Sequence, residues 1–385
     1  MKMRMVCQKC RKKFAGVQKQ SFILIIICVL RGIIRAAHLN SKAICSNILA
    51  LGIFPVLCLS VATSEAASDD AAKMQPDVIS GYTMGTVYRI VLPGTEEKRL
   101  IEIKGRIQDH LEAINSELSV FEPQSLFSLF NKMSAGEILC VSSGFQEIMR
   151  VARKVHHLSD GSFDPTAAPL IDAWGFGESG FTWQKPGSEE IEAALELVGL
   201  EKVHMDESGC VSKEKDGVRL NLSAVAKGYA VDGLAVLLEN LGVESYLVSI
   251  GGDMRASGPK PDGSNWRIGI NMPFPVADLR DKAKELEITS GALATSGNYR
   301  NYFRVEDKVY SHIIDPSTGY PAAQGTVSAT VLADSCVMAD ALATALMTMD
   351  SASALKMINS LDNIEALIIQ LTPDGEYVLY ESEGF

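Results

Sequence analysis

The first 64 residues of this 385-residue chain contain no acidic side chain, and the remainder is short of basic ones. Residues 1–64 carry ten lysines and arginines, and the first carboxylate is Glu65. Residues 67–385 carry 26 basic against 46 acidic side chains, a net charge of −20. A body that acidic repels phosphate backbones, which argues against a nucleic-acid partner. No GxxxxGK[ST] segment occurs, so a P-loop is excluded, and no G-x-S-x-G elbow supports a serine hydrolase. No 20–50-residue repeat is present, which removes solenoids and propellers. Only Cys140, Cys210 and Cys336 fall after residue 66. An odd trio makes no complete disulfide framework, and these three are expected as buried small hydrophobes. What is present, 47% hydrophobic and 22% charged residues, is ordinary globular composition, and the length allows a large core without staples.

The basic front reads as an address. Phe22–Leu30 is unbroken and apolar but is cut by Arg31 and Arg35, and a second apolar stretch, 47–62, follows Lys42. Neither gives the roughly 20 apolar residues of a spanning helix. The second ends in small residues, and Ser64-Glu65-Ala66 fits signal-peptide cleavage. Residues 1–66 are therefore expected as an export signal, 67–78 as a polar linker and 79–385 as the working domain. That makes the protein exported, either periplasmic or membrane-anchored facing the periplasm. An uncleaved anchor associated with the inner membrane, or a start upstream of the true one, is the rival reading. Leu57 before Cys58 is poor for a lipid anchor, and Cys7-Gln-Lys-Cys10 has no second pair to complete a zinc knuckle.

In the body, Thr86–Leu92 alternates as a strand and stops at Pro93-Gly94. Ile101, Ile107, Leu111, Ile114 and Leu118 give helical spacing over 100–118, and 145–157 and 191–198 are further helices. Residues 219–222 are strand-like and lead into a long helix, 224–240, with Ser223 as cap. Strands are expected over 245–250, 266–270 and 285–294, with a hairpin over 299–314 and a last helix, 337–349, capped by Ser335. Strands outnumber crossover helices, so the fold class is α+β, with mainly antiparallel sheets packed against helices.

Four clusters could carry chemistry. The helix opening at Ser223 presents free amides to an anion, with Lys227 one turn in. Asp340 and Thr344 share a face of an otherwise apolar helix, and a few oxygen ligands beside room for phosphate suit Mg²⁺. His312 precedes the turn Asp315-Pro-Ser-Thr-Gly319 and is a candidate general base, with a structural histidine as the alternative. The loops Tyr82–Thr86 and Gly161–Thr166 set glycine beside small hydroxyls, letting backbone approach a ligand. Each also has a plain reading as an ordinary cap, turn or packed helix.

In order along the chain, these pieces resemble the ApbE-type FAD:protein FMN transferases. The matching segments are Thr83-Met-Gly-Thr86, Leu118-Ser-Val-Phe-Glu-Pro123 with Phe130-Asn131, and Gly161-Ser-Phe-Asp-Pro-Thr166 with Trp174-Gly-Phe-Gly177. They continue with Ala226-Lys-Gly-Tyr-Ala-Val-Asp232, Ile250-Gly-Gly-Asp253, Ala294-Thr-Ser-Gly297, the His312 segment and Ala339-Asp-Ala-Leu-Ala-Thr344. The resemblance implies a T-fold-related α+β domain. It also implies a reaction in which FAD is split, FMN joins a Ser or Thr hydroxyl of an acceptor protein, and AMP leaves. By the same resemblance Met84, Phe121, Ser162, Phe163, Asp164, Asn221, Lys227 and Ile314 line the FAD site. Asp340, Thr344 and the Ala224 carbonyl hold Mg²⁺, and His312 serves as base, with Asp340 as its catalytic companion. Asn221 departs from the family's usual Asp, and Phe121 from its Tyr or Trp. Two alternatives share the pocket: an FAD pyrophosphatase yielding FMN and AMP, and a non-catalytic exported flavin-binding protein.

Overall fold

The computed structural model describes residues 3–5, 77–119, 122–177, 182, 185–274, 281–299, 302–305 and 308–385. The expected export signal lies outside these except for Met3–Met5, and the linker except for residues 77–78. The Cys7–Cys10 pair and Phe121 lie outside them too.

A nine-stranded sheet organises residues 77–385. Starting from its Val78–Thr83 edge, the order runs through Thr86–Val91, Tyr246–Ile250, Asp253–Ser257, Gly291–Gly297, Thr326–Ala333, Glu365–Leu371 and Tyr377–Glu381 to Met3–Met5. Every adjacent pair is antiparallel. The α+β reading with antiparallel sheets therefore stands, and the first strand of 77–385 begins at Val78. Two helices fill the sheet's inner face. Ser223–Asn240 buries residues on nearly all sides, from Val225 and Ala226 to Leu234 and Leu238. Cys336–Leu346 buries all its residues but Met338 and Thr344. Its alanines at 339, 341, 343 and 345 keep it thin enough to press between the first helix and the sheet. Large apolar side chains closed around this pair, such as Leu234 and Leu346, each contribute roughly 1.5–3 kcal/mol.

Several boundaries differ from the sequence reading, for physical reasons. The first long helix spans Glu97–Leu118 and buries Leu100, Ile103, Ile107, Leu111, Ile114 and Leu118, while Ile101 is 69% exposed. Leu100 and Ile103, not Ile101, complete the 3.6-residue stripe. The expected strand 285–294 is two: Lys282–Ile288 pairs with Trp266–Asn271, whereas Gly291–Gly297 enters the main sheet. Gly291, at φ 125°, allows the break, which follows the polar pair Thr289-Ser290. Residues 219–222 belong to no strand. Instead Asn131 clamps them, donating to the Leu220 carbonyl at 3.1 Å and accepting from the Leu220 amide at 2.8 Å. Ser223 does not cap the long helix; it is the first helical residue, and Asn221 Oδ1 accepts from its amide at 3.0 Å.

The cysteine expectation fails for two of the three. Cys140 and Cys210 face each other in antiparallel register in the small sheet Leu139–Cys140, Cys210–Lys213, Val203–Met205, with Cα atoms 3.8 Å apart, and form a disulfide. Seventy residues of sequence separate them, so only strand pairing reveals the match. Cys336 is buried and free, as expected.

Candidate functional site

Where the helix Ser223–Asn240 begins, beside the face of Cys336–Leu346 that carries Thr344, a cavity of about 460 Å³ opens. Its lining gathers segments remote in sequence. Ser162, Phe163 and Asp164 come from one loop, Asn221, Ala224 and Lys227 from the helix opening, His312 and Ile314 from the segment after the Lys308–Ser311 strand, and Asp340 and Thr344 from the last-named helix. Ten of the twelve candidate residues thus meet at one place. Of the other two, Phe121 is outside the described residues. Met84 sits elsewhere, at φ 48° in the two-residue hairpin turn with Gly85 at φ 72°, packed on the main core. The paired positive φ values define a tight primed turn, so this segment's conformational demand is that of a hairpin.

The electrostatic centre is a three-membered cluster. Lys227 Nζ contacts Asp253 Oδ2 and lies 3.3 Å from both oxygens of Asp340. Each carboxylate side chain is only 3% exposed, so two buried anions share one ammonium. Burial pushes the Asp340 carboxyl up to about 7, against the pull of Lys227, and the nearby Asp253 charge adds to the rise. Burial alone would lower the Lys227 pKa, but the fields of Asp340 and Asp253 outweigh it and raise it. The asymmetry follows from counting: the cation gains from two partners, whereas each anion has half a cation and a like-charged neighbour. A backbone amide adds one donor to each carboxylate, Gly228 N donating to Asp340 Oδ2 at 3.0 Å and Thr295 N to Asp253 Oδ1 at 3.2 Å.

Asp253 is the acid that sequence reasoning missed. The signal lay in Ile250-Gly-Gly-Asp253: Gly251 and Gly252 take φ 63° and 110°, turning the chain so that the next residue points into the core. A β-carbon on Gly251 would also lie 3.0 Å from Thr86 Cγ2. Also missed were Thr295 and Ser296, which line the cavity; Ser296 Oγ lies 3.0 Å from Thr344 Oγ1.

The His312 segment is held from behind by a second apolar cluster. Trp174 donates from Nε1 to the Gly319 carbonyl at 2.7 Å and stacks on Tyr310, ring centroids 5.2 Å apart. Phe176 meets the His312 ring edge-on at 6.3 Å. The regular strand ends at Ser311 and only an isolated bridge, Ile314 to Pro321, follows, so His312, Ile313 and Ile314 all line the cavity, where strict alternation would have split them between two faces. Asp164 is anchored rather than free: its Oδ1 accepts from Thr166 N at 2.7 Å and its Oδ2 from Leu200 N at 3.1 Å. Burial raises its pKa, opposed by those bonds.

Among the described residues no group of three or more His, Cys, Asp and Glu side chains could hold a metal. The oxygens at hand are instead a carboxylate, a hydroxyl one turn on and the peptide carbonyls of a helix's first turn. That mixed set, with open volume for water or phosphate, fits Mg²⁺ and would not suit zinc. No helix among the described residues is long and apolar enough to cross a membrane.

Comparison with known proteins is consistent across sequence and structure. The model of the ApbE family matches residues 84–368. An FAD:protein FMN transferase of Vibrio cholerae serotype O1 is 37% identical over 310 residues, 80% of this chain and 91% of that protein. The same-named protein of Escherichia coli K12 is 34% identical over 285 residues, 73% of this chain and 80% of its own. Among solved structures, the flavin transferase ApbE from Vibrio cholerae superposes with TM-score 0.72 at 36% identity, covering 80% of this chain and 97% of that one. The apo flavinyl transferase ApbE of Pseudomonas stutzeri gives 0.71 at 33%, covering 80% and 95%.

Proposed function

This chain belongs to the ApbE family and is an enzyme that transfers FMN from FAD to protein, and we propose how its residues do so. FAD lies in the 460 Å³ cavity, against Ser162, Phe163, Asp164, Asn221 and Ile314. Its pyrophosphate meets the opening of the Ser223–Asn240 helix, whose dipole favours an anion, although the Ser223, Val225 and Ala226 amides already bond Asn221 and Leu222. In a domain of net charge −20, with Lys227 already shared by Asp253 and Asp340, entry of a dianion would need a bound cation as well.

Asp340, Thr344 and the Ala224 carbonyl would hold Mg²⁺. Bound there, the ion supplies neutralising charge to the pyrophosphate and the departing phosphate. His312 takes the proton from a Ser or Thr hydroxyl of the acceptor protein. That oxygen then forms a bond to the FMN phosphorus while the P–O–P bridge breaks, and AMP leaves with the bridging oxygen and its electron pair. The Trp174–Tyr310 stack behind His312 keeps the base from drifting, so less orientation is lost at the moment of reaction.

The observation that carries this reading is the convergence of Asp340, Thr344, Lys227 and His312 on one cavity. The test uses purified protein with FAD, Mg²⁺ and an acceptor protein. The acceptor becomes covalently fluorescent on denaturing gels, and either EDTA or Asp340→Ala abolishes this. An acceptor left colourless, while a working relative labels it, would overturn the reading; label that persists in EDTA would overturn the metal assignment alone.

We also propose that the protein works outside the cytoplasm, periplasmic or anchored at the inner membrane. The signal-like first 66 residues, free of acids up to Glu65, support this, and so does the Cys140–Cys210 disulfide, since such bonds persist in oxidising compartments. Mass spectrometry of the mature N-terminus and of its thiols tests both points.

A further inference from the structure

We infer that Ser296 is a positioning residue for the metal site: its hydroxyl fixes the orientation of the Thr344 hydroxyl and so sets how tightly a divalent cation is held. The inference rests on the Mg²⁺ reading above. Ser296 lies near the end of the strand Gly291–Gly297, opposite Ala329 of Thr326–Ala333, and these two strands carry the helix Cys336–Leu346 on their face. Its Oγ is 3.0 Å from Thr344 Oγ1, and both residues line the cavity together with Asp340.

A threonine hydroxyl has one hydrogen and two lone pairs. If Thr344 gives a lone pair to a cation, its hydrogen must point away from that cation, and it needs an acceptor there. Ser296 Oγ is within bonding distance to accept it. Either oxygen can donate in the absence of a cation; with one present, only the Thr344-to-Ser296 direction leaves Thr344's lone pair available. Ser296 then turns its own hydrogen into the cavity, where an anionic phosphate oxygen is a suitable acceptor. Asp340 has the equivalent support from the Gly228 amide. Partners of this kind, behind the ligands, typically alter metal affinity 10- to 100-fold when removed.

The test titrates the full chain with Mn²⁺ alone, reading free Mn²⁺ by electron paramagnetic resonance, so no turnover is needed. Wild type is expected to show a site that Asp340→Ala destroys. Ser296→Ala should raise the Kd for Mn²⁺ roughly tenfold or more, and Ser296→Thr, which keeps a hydroxyl, should restore it to within about threefold of wild type. If Ser296→Ala lowers the thermal midpoint, the near-isosteric Ser296→Cys replaces it, with the same weakening expected because sulfur is a poor acceptor. Wild-type affinity in the serine variants, beside loss in Asp340→Ala, overturns the role of Ser296 and leaves the metal reading intact. No Mn²⁺ site in wild type, or an undiminished one in Asp340→Ala, overturns the metal reading and this inference with it.

Discussion

The amide of Gly228 donates to Asp340 Oδ2 at 3.0 Å, and the missing side chain of Gly228 is what lets the two helices come close enough to do so. A β-carbon there would sit 2.4 Å from the Cys336 carbonyl oxygen and 2.7 Å from Val337 Cα, both backbone atoms that cannot swing aside. The contact sets the spacing between the helix that carries Lys227 and the one that carries Asp340.

Gly228→Ala is therefore expected to force the helices apart, costing about 1–3 kcal/mol of stability, the usual range for overpacking. Activity should fall further than stability alone explains. Urea unfolding beside an FMN-transfer assay measures both; a variant as stable and active as wild type would show that the close approach is dispensable.

Lys227→Met leaves Asp253 and Asp340 buried together without their shared cation. One of them then takes up a proton. With a charge-assisted contact worth about 1.5–3 kcal/mol, FAD affinity should drop on the order of 10- to 100-fold. Fluorescence titration of FAD reads this directly, and unchanged affinity would remove Lys227 from the pyrophosphate site.

His312→Ala should slow transfer by about 10²- to 10⁴-fold, the range for a lost general base, while FAD binding changes little. Single-turnover labelling separates the two. A variant that labels the acceptor at the wild-type rate sinks the base assignment.

Reducing the Cys140–Cys210 bond, or changing both residues to Ser, should cost about 2–4 kcal/mol, as is common for a bridge closing a long loop. Thermal melts with and without reductant test it. An identical midpoint in both would mean that pairing between Leu139–Cys140 and Cys210–Lys213 suffices alone.

His110 gives a pH signature. Its Nε2 is buried with no hydrogen-bond partner among the described residues, and burial lowers its pKa. A base whose folded pKa lies below its unfolded value near 6.5 binds fewer protons when folded. Its contribution is thus fully present above about pH 6.5 and is lost as pH falls through the lower folded value. His110→Gln should flatten the loss of stability as pH falls below about 6.5; parallel slopes for both proteins would refute it.

Much of the site was legible because its chemistry sits in short ordered segments. Ala339–Thr344 puts Asp340 and Thr344 on one helical face by spacing alone, and Ser223–Lys227 marks a helix opening beside a cation. Where the reading failed, the local pattern was blind to its surroundings. Ile101 and Leu100 are equally apolar, and only the packed sheet picks which one is covered. The segment 285–294 reads as a single extended run, though its halves belong to different sheets.

The sequence by itself determined the antiparallel α+β character, the acidic body behind a basic N-terminal segment, and the residue types of the site, since these depend on periodicity, charge and composition along the chain. Only the tertiary structure decided that Asp253 shares Lys227 with Asp340, that Ser296 meets Thr344, and that Cys140 bonds Cys210. Those are pairings across 26, 113, 48 and 70 residues, and they are set by strand register and helix approach. No spacing rule spans such distances, because contact is fixed there by the packing of the whole core and not by the geometry of any one element.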